Sequence, residues 1–247
     1  MAAVDLNCDL GEGYPFDEEL LALVTSANVA CGGHYGDAAT MRAACSRALR
    51  HGVTIGAHPS YEDREGFGRR PRDVDAGLLE RQVSEQIAAL RAEAAIVGAE
   101  VRYVKPHGAL YNRIAVDLAQ AEAVVRAAAS AGLPLLGQAG TAAEAAARRA
   151  GLPFVAEAFA DRGYRADGTL ADRAEPGGLI TDADAVAARV LRMSTDGEVA
   201  AVDGTRVTLT VESVCLHGDT PGAVDLAVAV RRTLGAAGVA VRPFREP

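Results

Sequence analysis

Lysine is nearly absent from this sequence. Lys105 is the only one, against 24 arginines within a total of 25 lysine and arginine residues. An ε-amine is a compact group with three donors that can shift its pKa and exchange protons, which a guanidinium does not do. Either one lysine has survived compositional drift, or this position needs an amine. If it needs an amine, arginine should not replace it in function.

Other polar side chains are scarce as well, and they occur together. The sequence has no tryptophan, three asparagines and five histidines. The asparagines and four of the histidines lie close to glycine, histidine or acidic residues; they are Asn7, Asn28, Asn112, His34, His58, His107 and His217. Rare polar groups concentrated in this way indicate positions that carry chemistry.

Charge and hydropathy argue against several classes of protein. The net charge is −8 and no basic run occurs, which argues against a nucleic-acid surface. No apolar stretch reaches ~18 residues, and the opening MAAVDLNCDL lacks a basic, signal-type start, so neither a membrane span nor secretion is indicated. We therefore expect a cytoplasmic globular protein.

Two binding signatures are missing. The four cysteines, Cys8, Cys31, Cys45 and Cys215, lack CxxC spacing and are expected to be free thiols. There is no GxxxxGK[ST] phosphate loop, and Lys105 lacks the glycines that precede the lysine of such a loop. Nothing in the sequence shows how the chain would bind ATP by itself.

Short apolar runs alternate with longer stretches of helical period, and no linker divides residues 1–247, so we expect a single domain. The predicted strands are 3–8, 27–30, 53–57, 101–105, 133–137, 154–156 and 207–216. The predicted helices are 37–50, 73–97, 118–131, 142–150, 182–193 and 223–236. Asp203-Gly204 within 198–211 predicts a hairpin.

This alternation predicts a parallel α/β sheet, either closed as a (β/α) barrel of about seven strands or open and doubly wound. Polar clusters follow the carboxyl ends of six strand runs, the edge at which both architectures bind ligands. Groups spread over six strands converge in a barrel mouth but not easily in one crevice of an open sheet. We therefore favour an irregular (β/α) barrel.

The segment DLNCDLGEG predicts a strand with one polar face. Side chains alternate along a strand, so Asp5, Asn7 and Asp9 share a face while Leu6 and Cys8 share the other. A turn stabilised by Asx hydrogen bonds would account for the glycines that follow, but not for Asp5 or Asn7.

Two later segments each carry a histidine among small residues. SANVACGGH places His34 after glycines that allow close approach of the backbone to a ligand. In GAHPSYEDREGFGRR, His58 follows a strand, and the loop after it is either a solvated loop or an anion clamp with Arg69 and Arg70 as donors.

The run VRYVKPHGALYN carries the lysine. Tyr103, Lys105 and His107 share one face, and burial can lower a lysine pKa towards neutrality, so a lysine–histidine acid/base pair is one interpretation.

FADRGY contains Asp161 and Arg162, for which an ion pair is expected. The His and Asp groups are also of the donor types that bind divalent metals, but their spacing matches no known metal signature.

Taken together, six motifs closely resemble the family of the 5-oxoprolinase A subunit (PxpA), also called LamB/YcsF. They are DLNCDLGEG, SANVACGGH, GAHPSYEDREGFGRR, VKPHGALYN, FADRGY and CLHGD, in this order from residue 5 to 219. The resemblance implies an irregular barrel of the polysaccharide deacetylase type and a hydrolase that opens the cyclic amide 5-oxo-L-proline to L-glutamate. It also implies ATP as a co-substrate, handled with partner subunits PxpB and PxpC.

The residues fit such a reaction. Opening a lactam calls for an activated water, stabilisation of an oxyanion and a proton for the leaving nitrogen. We predict catalytic roles for Asp9, His58, Lys105 and His107, with Lys105 stabilising the oxyanion. We predict substrate-binding roles for Asn7, Glu12, Asn28, His34, Arg69 and His217.

Two alternatives remain open from sequence. One is a metal-dependent amidase or deacetylase that acts alone on the same barrel. The other is a non-catalytic subunit that only holds 5-oxoproline. A divalent metal is thus possible, and no residue is assigned as its ligand.

Overall fold

Seven parallel strands form a closed barrel in the computed structural model, which describes residues 2–247. The strands of the chain are β1 (Ala3–Leu10), β2 (Ser26–Ala30), β3 (Thr54–His58), β4 (Val101–Val104), β5 (Leu135–Gln138), β6 (Phe154–Phe159), β7 (Glu198–Ala200), β8 (Arg206–Thr208), β9 (Ser213–Leu216) and β10 (Ala240–Val241). The order in the barrel is β1-β2-β3-β4-β5-β6-β9, and β9 pairs back onto β1. The predicted barrel is confirmed.

Helices surround this barrel. They are α1 (Asp17–Leu21), α2 (Ala38–His51), α3 (Ala76–Ile96), α4 (Gly108–Val116), α5 (Leu118–Ser130), α6 (Ala142–Arg149), α7 (Ala183–Asp196) and α8 (Ala223–Ala236). Asp37 begins α2 with a capping box to Thr40, and Gly52 ends it at φ 64°, a left-handed conformation that glycine adopts without strain. Among residues 2–247, no helix has the length and apolar character needed to cross a membrane.

Some predicted elements differ from the structure. The stretch predicted as one strand, 207–216, is divided between β8 and β9, and β8 pairs antiparallel with β7 in the predicted hairpin. The helices α1 and α4 were missed. A helix of five residues shows little periodicity, and α4 starts with Gly108 at φ 55° directly after Pro106 and His107, a pattern typical of a turn. The helix predicted over 73–97 begins later, at Ala76, with Asp75 as its N-cap.

The two faces of β1 separate the apolar core from the site. Leu6 and Cys8 belong to the main apolar core between strands and helices. Asp5 accepts hydrogen bonds from Thr25, Ser26 and Ser213 of neighbouring chain segments, and it is buried inside the barrel. The interiors of barrels of this general type are usually filled by branched apolar side chains, so this polar interior has another purpose.

Candidate active site

A ladder of amides and carboxylates rises along the inside of the barrel. Asn28 Nδ2 donates to Asn7 Oδ1 at 2.7 Å and to Asp9 Oδ1 at 2.8 Å. Tyr103 donates to Asn28 Oδ1 at 2.6 Å, and Asn7 donates to Glu157 Oε1 at 3.0 Å. These bonds fix the direction of Asp9 and Glu157, the two carboxylates at the top of the ladder.

Lys105 joins those two carboxylates. Its Nζ lies 3.0 Å from Asp9 Oδ1, 3.0 Å from Glu157 Oε1 and 3.0 Å from the Cys215 sulfur, and the residue is 2% exposed. Two buried carboxylates around one buried ammonium form a compact charged triad. The lone lysine of the sequence is therefore built into the site and is not a solvated charge.

The expected fall of the Lys105 pKa is wrong. Burial by itself lowers the pKa of this amine, but the negative charge of Asp9, together with Glu157, outweighs burial and raises the Lys105 pKa well above its usual value. The amine is thus an ammonium at neutral pH. It can donate hydrogen bonds and stabilise negative charge, but it cannot serve as a base.

Asp9 is held ionised. Burial would raise the pKa of Asp9, but the neighbouring His58 and Lys105 overcome it and hold this pKa well below its usual range. The second oxygen of Asp9 lies 3.3 Å from His58 Nε2. Asp9 therefore presents one oxygen to Lys105 and the other to the histidines.

Three histidines and a glutamate converge beside Asp9. Each of Glu12, His34, His58 and His107 offers one possible ligand atom, and these four atoms all lie within 4.8 Å of one another. His34 Nε2 is 2.8 Å from Glu12 Oε1, and His107 Nδ1 is 3.0 Å from His58 Nε2. The rings of His34 and His107 stack at 3.7 Å, whereas those of His58 and His107 meet at 86°. We call these four residues the histidine cluster.

The electrostatics of the cluster keep three of its members, Glu12, His34 and His107, neutral. Burial, and then the negative charge of Asp9, raise the pKa of Glu12 to about 8. Burial, and then repulsion by His58, lower the pKa of His34 to about 2. Burial, followed by His34 and His58, holds the pKa of His107 well below its usual range. Two neutral imidazoles and a carboxyl group that retains its proton near neutral pH thus lie beside the ionised Asp9.

The loop after β3 closes over the cluster. His107 Nε2 donates to the carbonyl of Phe67 at 2.9 Å. Gly68 follows at φ 65°, and a Cβ there would lie 2.9 Å from both His34 and His107, so only glycine permits this approach. Arg70, the second arginine of the predicted anion clamp, points away from the cluster, and its Nη1 lies 3.7 Å from Asp63 Oδ1.

Above the cluster lies an open cavity of about 1240 Å³. Its rim carries Arg69 and Arg173, which both bind Asp219; the Arg173 contact is 2.8 Å. His217 Nδ1 contacts Asp161 at 2.8 Å. The predicted Asp161–Arg162 ion pair is therefore wrong, because Arg162 instead donates to backbone carbonyls. The rim is rich in arginine and suits an anionic ligand.

The structure divides the predicted site residues into two groups. Those that line the cavity are Asp9, Glu12, His58, Arg69, Lys105, His107 and His217. Asn7, Asn28 and His34 are at most 1% exposed and lie beneath the cavity floor, where they hold other site residues. The substrate-binding roles predicted for these three residues stay predictions.

Sequence reasoning left Glu157 and Cys215, which both contact Lys105, out of the site. Glu157 had a visible signal, since it stands with the other polar clusters at the end of a strand, here β6. Cys215 had none, because a thiol in an apolar run is typical of a core. Burial raises the pKa of the Cys215 thiol well above its usual value.

The fold and this site define a parallel α/β barrel protein with a buried cluster of carboxylates, imidazoles and one ammonium under an open cavity. The family model described as LamB/YcsF family matches residues 4–247. The chain is 54% identical over 251 residues to the 5-oxoprolinase A subunit of Mycobacterium avium (strain 104), covering 99% of this chain and 100% of that protein. It is 50% identical over 253 residues to the protein of that name from Cutibacterium acnes, covering 98% and 99%. This chain belongs to the LamB/YcsF family.

Two solved structures are similar. The lactam utilization protein from Thermus thermophilus has a TM-score of 0.92 and 42% identity, covering 98% of this chain and 100% of that one. The polysaccharide deacetylase Bc1974 from Bacillus cereus has a TM-score of 0.56 and 14% identity, covering 100% and 93%. At that identity the second comparison shows the fold alone, and it confirms the predicted deacetylase-type barrel.

Proposed function

We propose that this chain is the hydrolytic subunit of an ATP-dependent 5-oxoprolinase, which opens 5-oxo-L-proline to L-glutamate together with partner subunits PxpB and PxpC. The names of its full-length relatives support a role in a 5-oxoprolinase. The observation that carries the proposal is the buried group of Asp9, Lys105 and the histidine cluster beneath an arginine-rich cavity. The cytoplasmic location expected from the sequence belongs to this proposal.

Each requirement of lactam opening has a candidate group. The ammonium of Lys105 stabilises the oxyanion that forms when water adds to the carbonyl carbon. The ionised Asp9 accepts the proton of that water and can return it to the ring nitrogen as the C–N bond breaks. His58 Nε2 and His107 Nδ1 lie 3.0 Å apart beside Asp9, where a water or substrate atom that enters from the cavity would meet both ring nitrogens.

The cavity has room for the substrate. Typical ligand pockets measure ~300–1,000 Å³, and the observed cavity of about 1240 Å³ exceeds this. A five-membered lactam fills only part of it. Arg69 and Arg173 at the rim are placed to bind the substrate carboxylate if they exchange it for Asp219.

ATP chemistry is assigned to the partners because this sequence lacks a phosphate loop. The test is a turnover assay with 5-oxoproline and ATP, in which glutamate and inorganic phosphate are both measured. We expect the isolated chain to form neither product, and the chain with PxpB and PxpC to form both. Glutamate production by the purified chain alone would contradict the partner requirement and favour an amidase that acts alone.

A further inference from the structure

Two backbone carbonyls fix the protonation of His58 and His107. His58 Nδ1 lies 2.7 Å from the carbonyl oxygen of Lys105, and His107 Nε2 lies 2.9 Å from that of Phe67. A carbonyl oxygen only accepts hydrogen bonds, so each of these ring nitrogens carries a proton. In a neutral imidazole the other nitrogen is then a bare lone pair. Those other nitrogens are His58 Nε2 and His107 Nδ1.

The two bare nitrogens face each other. His58 Nε2 and His107 Nδ1 are 3.0 Å apart, and Glu12 Oε1 lies 3.7 Å from the first and 3.3 Å from the second. Three lone-pair donors therefore form a small triangle in a region where each residue is at most 6% exposed. Such a triangle is repulsive unless something positive lies at its centre.

No side-chain cation in the described part of the chain fills that place. The ammonium of Lys105 is bound to Asp9 and Glu157, and Arg69 is turned to Asp219. A single proton can join only one pair of the three donors. A metal ion can bind all three at once.

The dimensions of the triangle match a zinc-type ion. A tetrahedral shell with metal–ligand bonds of about 2.0–2.1 Å has ligand–ligand edges of about 3.3 Å. The observed edges of 3.0, 3.3 and 3.7 Å bracket that value. The 86° angle between the two imidazole rings lets both lone pairs point to one centre.

We propose that His58 Nε2, His107 Nδ1 and Glu12 Oε1 bind one divalent transition-metal ion of the zinc type, with the fourth coordination position open to the cavity. Two histidines and one carboxylate with one open position form a known type of catalytic zinc site. All three residues line the cavity, so the open position is accessible to water and substrate. A bound ion would supply a Lewis acid at this point.

His34 supports this site from outside. Its ring is stacked parallel to that of His107, 2° from coplanar, so the lone pairs of the two rings cannot converge on one ion. Its Nε2 instead lies 2.8 Å from Glu12 Oε1, while its Nδ1 is buried without a partner. Such outer contacts orient metal ligands, and their loss typically weakens metal binding by about 10–100-fold.

The test uses the isolated full chain, freed of metal with a chelator and then titrated with Zn²⁺ by calorimetry and with Co²⁺ by visible absorption. We expect one ion per chain and the strong visible bands of four-coordinate cobalt. His58→Ala and His107→Ala should each abolish stoichiometric binding, and His34→Asn should weaken it by about 10–100-fold. The control is His51→Ala, because His51 lies on α2 and contacts Glu18 instead.

Nitrogen NMR of the imidazoles is a second measurement, which reports the protonation of each ring nitrogen and does not depend on the variants. The proposal expects His58 to be protonated only on Nδ1 and His107 only on Nε2 in the metal-loaded chain. A folded wild-type chain that binds no stoichiometric ion, with His58 protonated on both nitrogens, would overturn the proposal, since a proton would then fill the triangle. Unchanged binding in both alanine variants would also overturn it. The measurement involves no substrate, so its failure is separate from failure of the proposed function.

Discussion

Replacing Lys105 by methionine tests the charged triad at the centre of the barrel. Methionine keeps much of the length of the side chain but removes the ammonium, which leaves Asp9 and Glu157 as neighbouring buried carboxylates. Removing one partner from a buried ion pair typically costs about 3–5 kcal/mol, because the remaining charge is uncompensated. We expect a loss of this size in the free energy of unfolding.

The loss should be visible in thermal melting. One kcal/mol corresponds to about 2–4 °C in a domain of this size, so Lys105→Met should melt roughly 6–20 °C below wild type. The control is Arg149→Met, which breaks the exposed Arg149–Glu122 pair. Exposed pairs contribute at most about 1 kcal/mol, so the control should shift the melting temperature by only a few degrees.

A double-mutant cycle assigns the loss to the pair. Asp9→Asn removes one of the two carboxylates, so in that background Lys105→Met should cost less, with a coupling energy of about 1–3 kcal/mol. Lys105→Arg should also lose turnover, because a guanidinium is too large for a position that is 2% exposed. If Lys105→Met unfolds within 1 kcal/mol of wild type (roughly the value of an exposed pair), the triad is not a stabilising ion cluster and the reasoning fails.

Two further predictions concern β1. Asp9→Asn should fold, since Glu157 still balances Lys105, yet should lower partner-supported turnover by roughly 10²–10⁴-fold, the usual contribution of a positioned acid or base; near-normal turnover would remove Asp9 from the mechanism. Burial raises the pKa of Asp5 from 3.8 to about 6. Its contribution to stability is therefore complete below about pH 4 and is lost as the pH rises through about 6, a difference of about 3 kcal/mol. Urea unfolding of Asp5→Asn from pH 4 to 7 should lack this decline, and an unchanged pH slope would refute the shift.

Much of the architecture was predictable from local pattern. Alternation along DLNCD placed Asp5, Asn7 and Asp9 on one face, and the structure turns that face into the barrel. Repeated strand–helix alternation predicted a parallel barrel, because parallel strands need a crossover between them. Such features depend on periods of two or 3.6 residues, which the sequence displays directly.

The charge state of the lysine could not be predicted from its neighbours in the chain. Pro106 and His107 adjoin Lys105 in sequence, but the groups that raise its pKa come from β1 and β6. Burial and opposite charge act in opposite directions on an amine, and only the folded distances decide which prevails.

The contacts within the histidine cluster could not be predicted for the same reason. His58 ends β3, the other members follow β1, β2 and β4, and no two of them stand at a spacing typical of a metal site. Local pattern in the chain showed which polar residues end each strand and which face they share. Closure of the barrel decided which of those ends meet, because pairing of β1 with both β2 and β9 brings residues far apart in the chain within hydrogen-bonding distance.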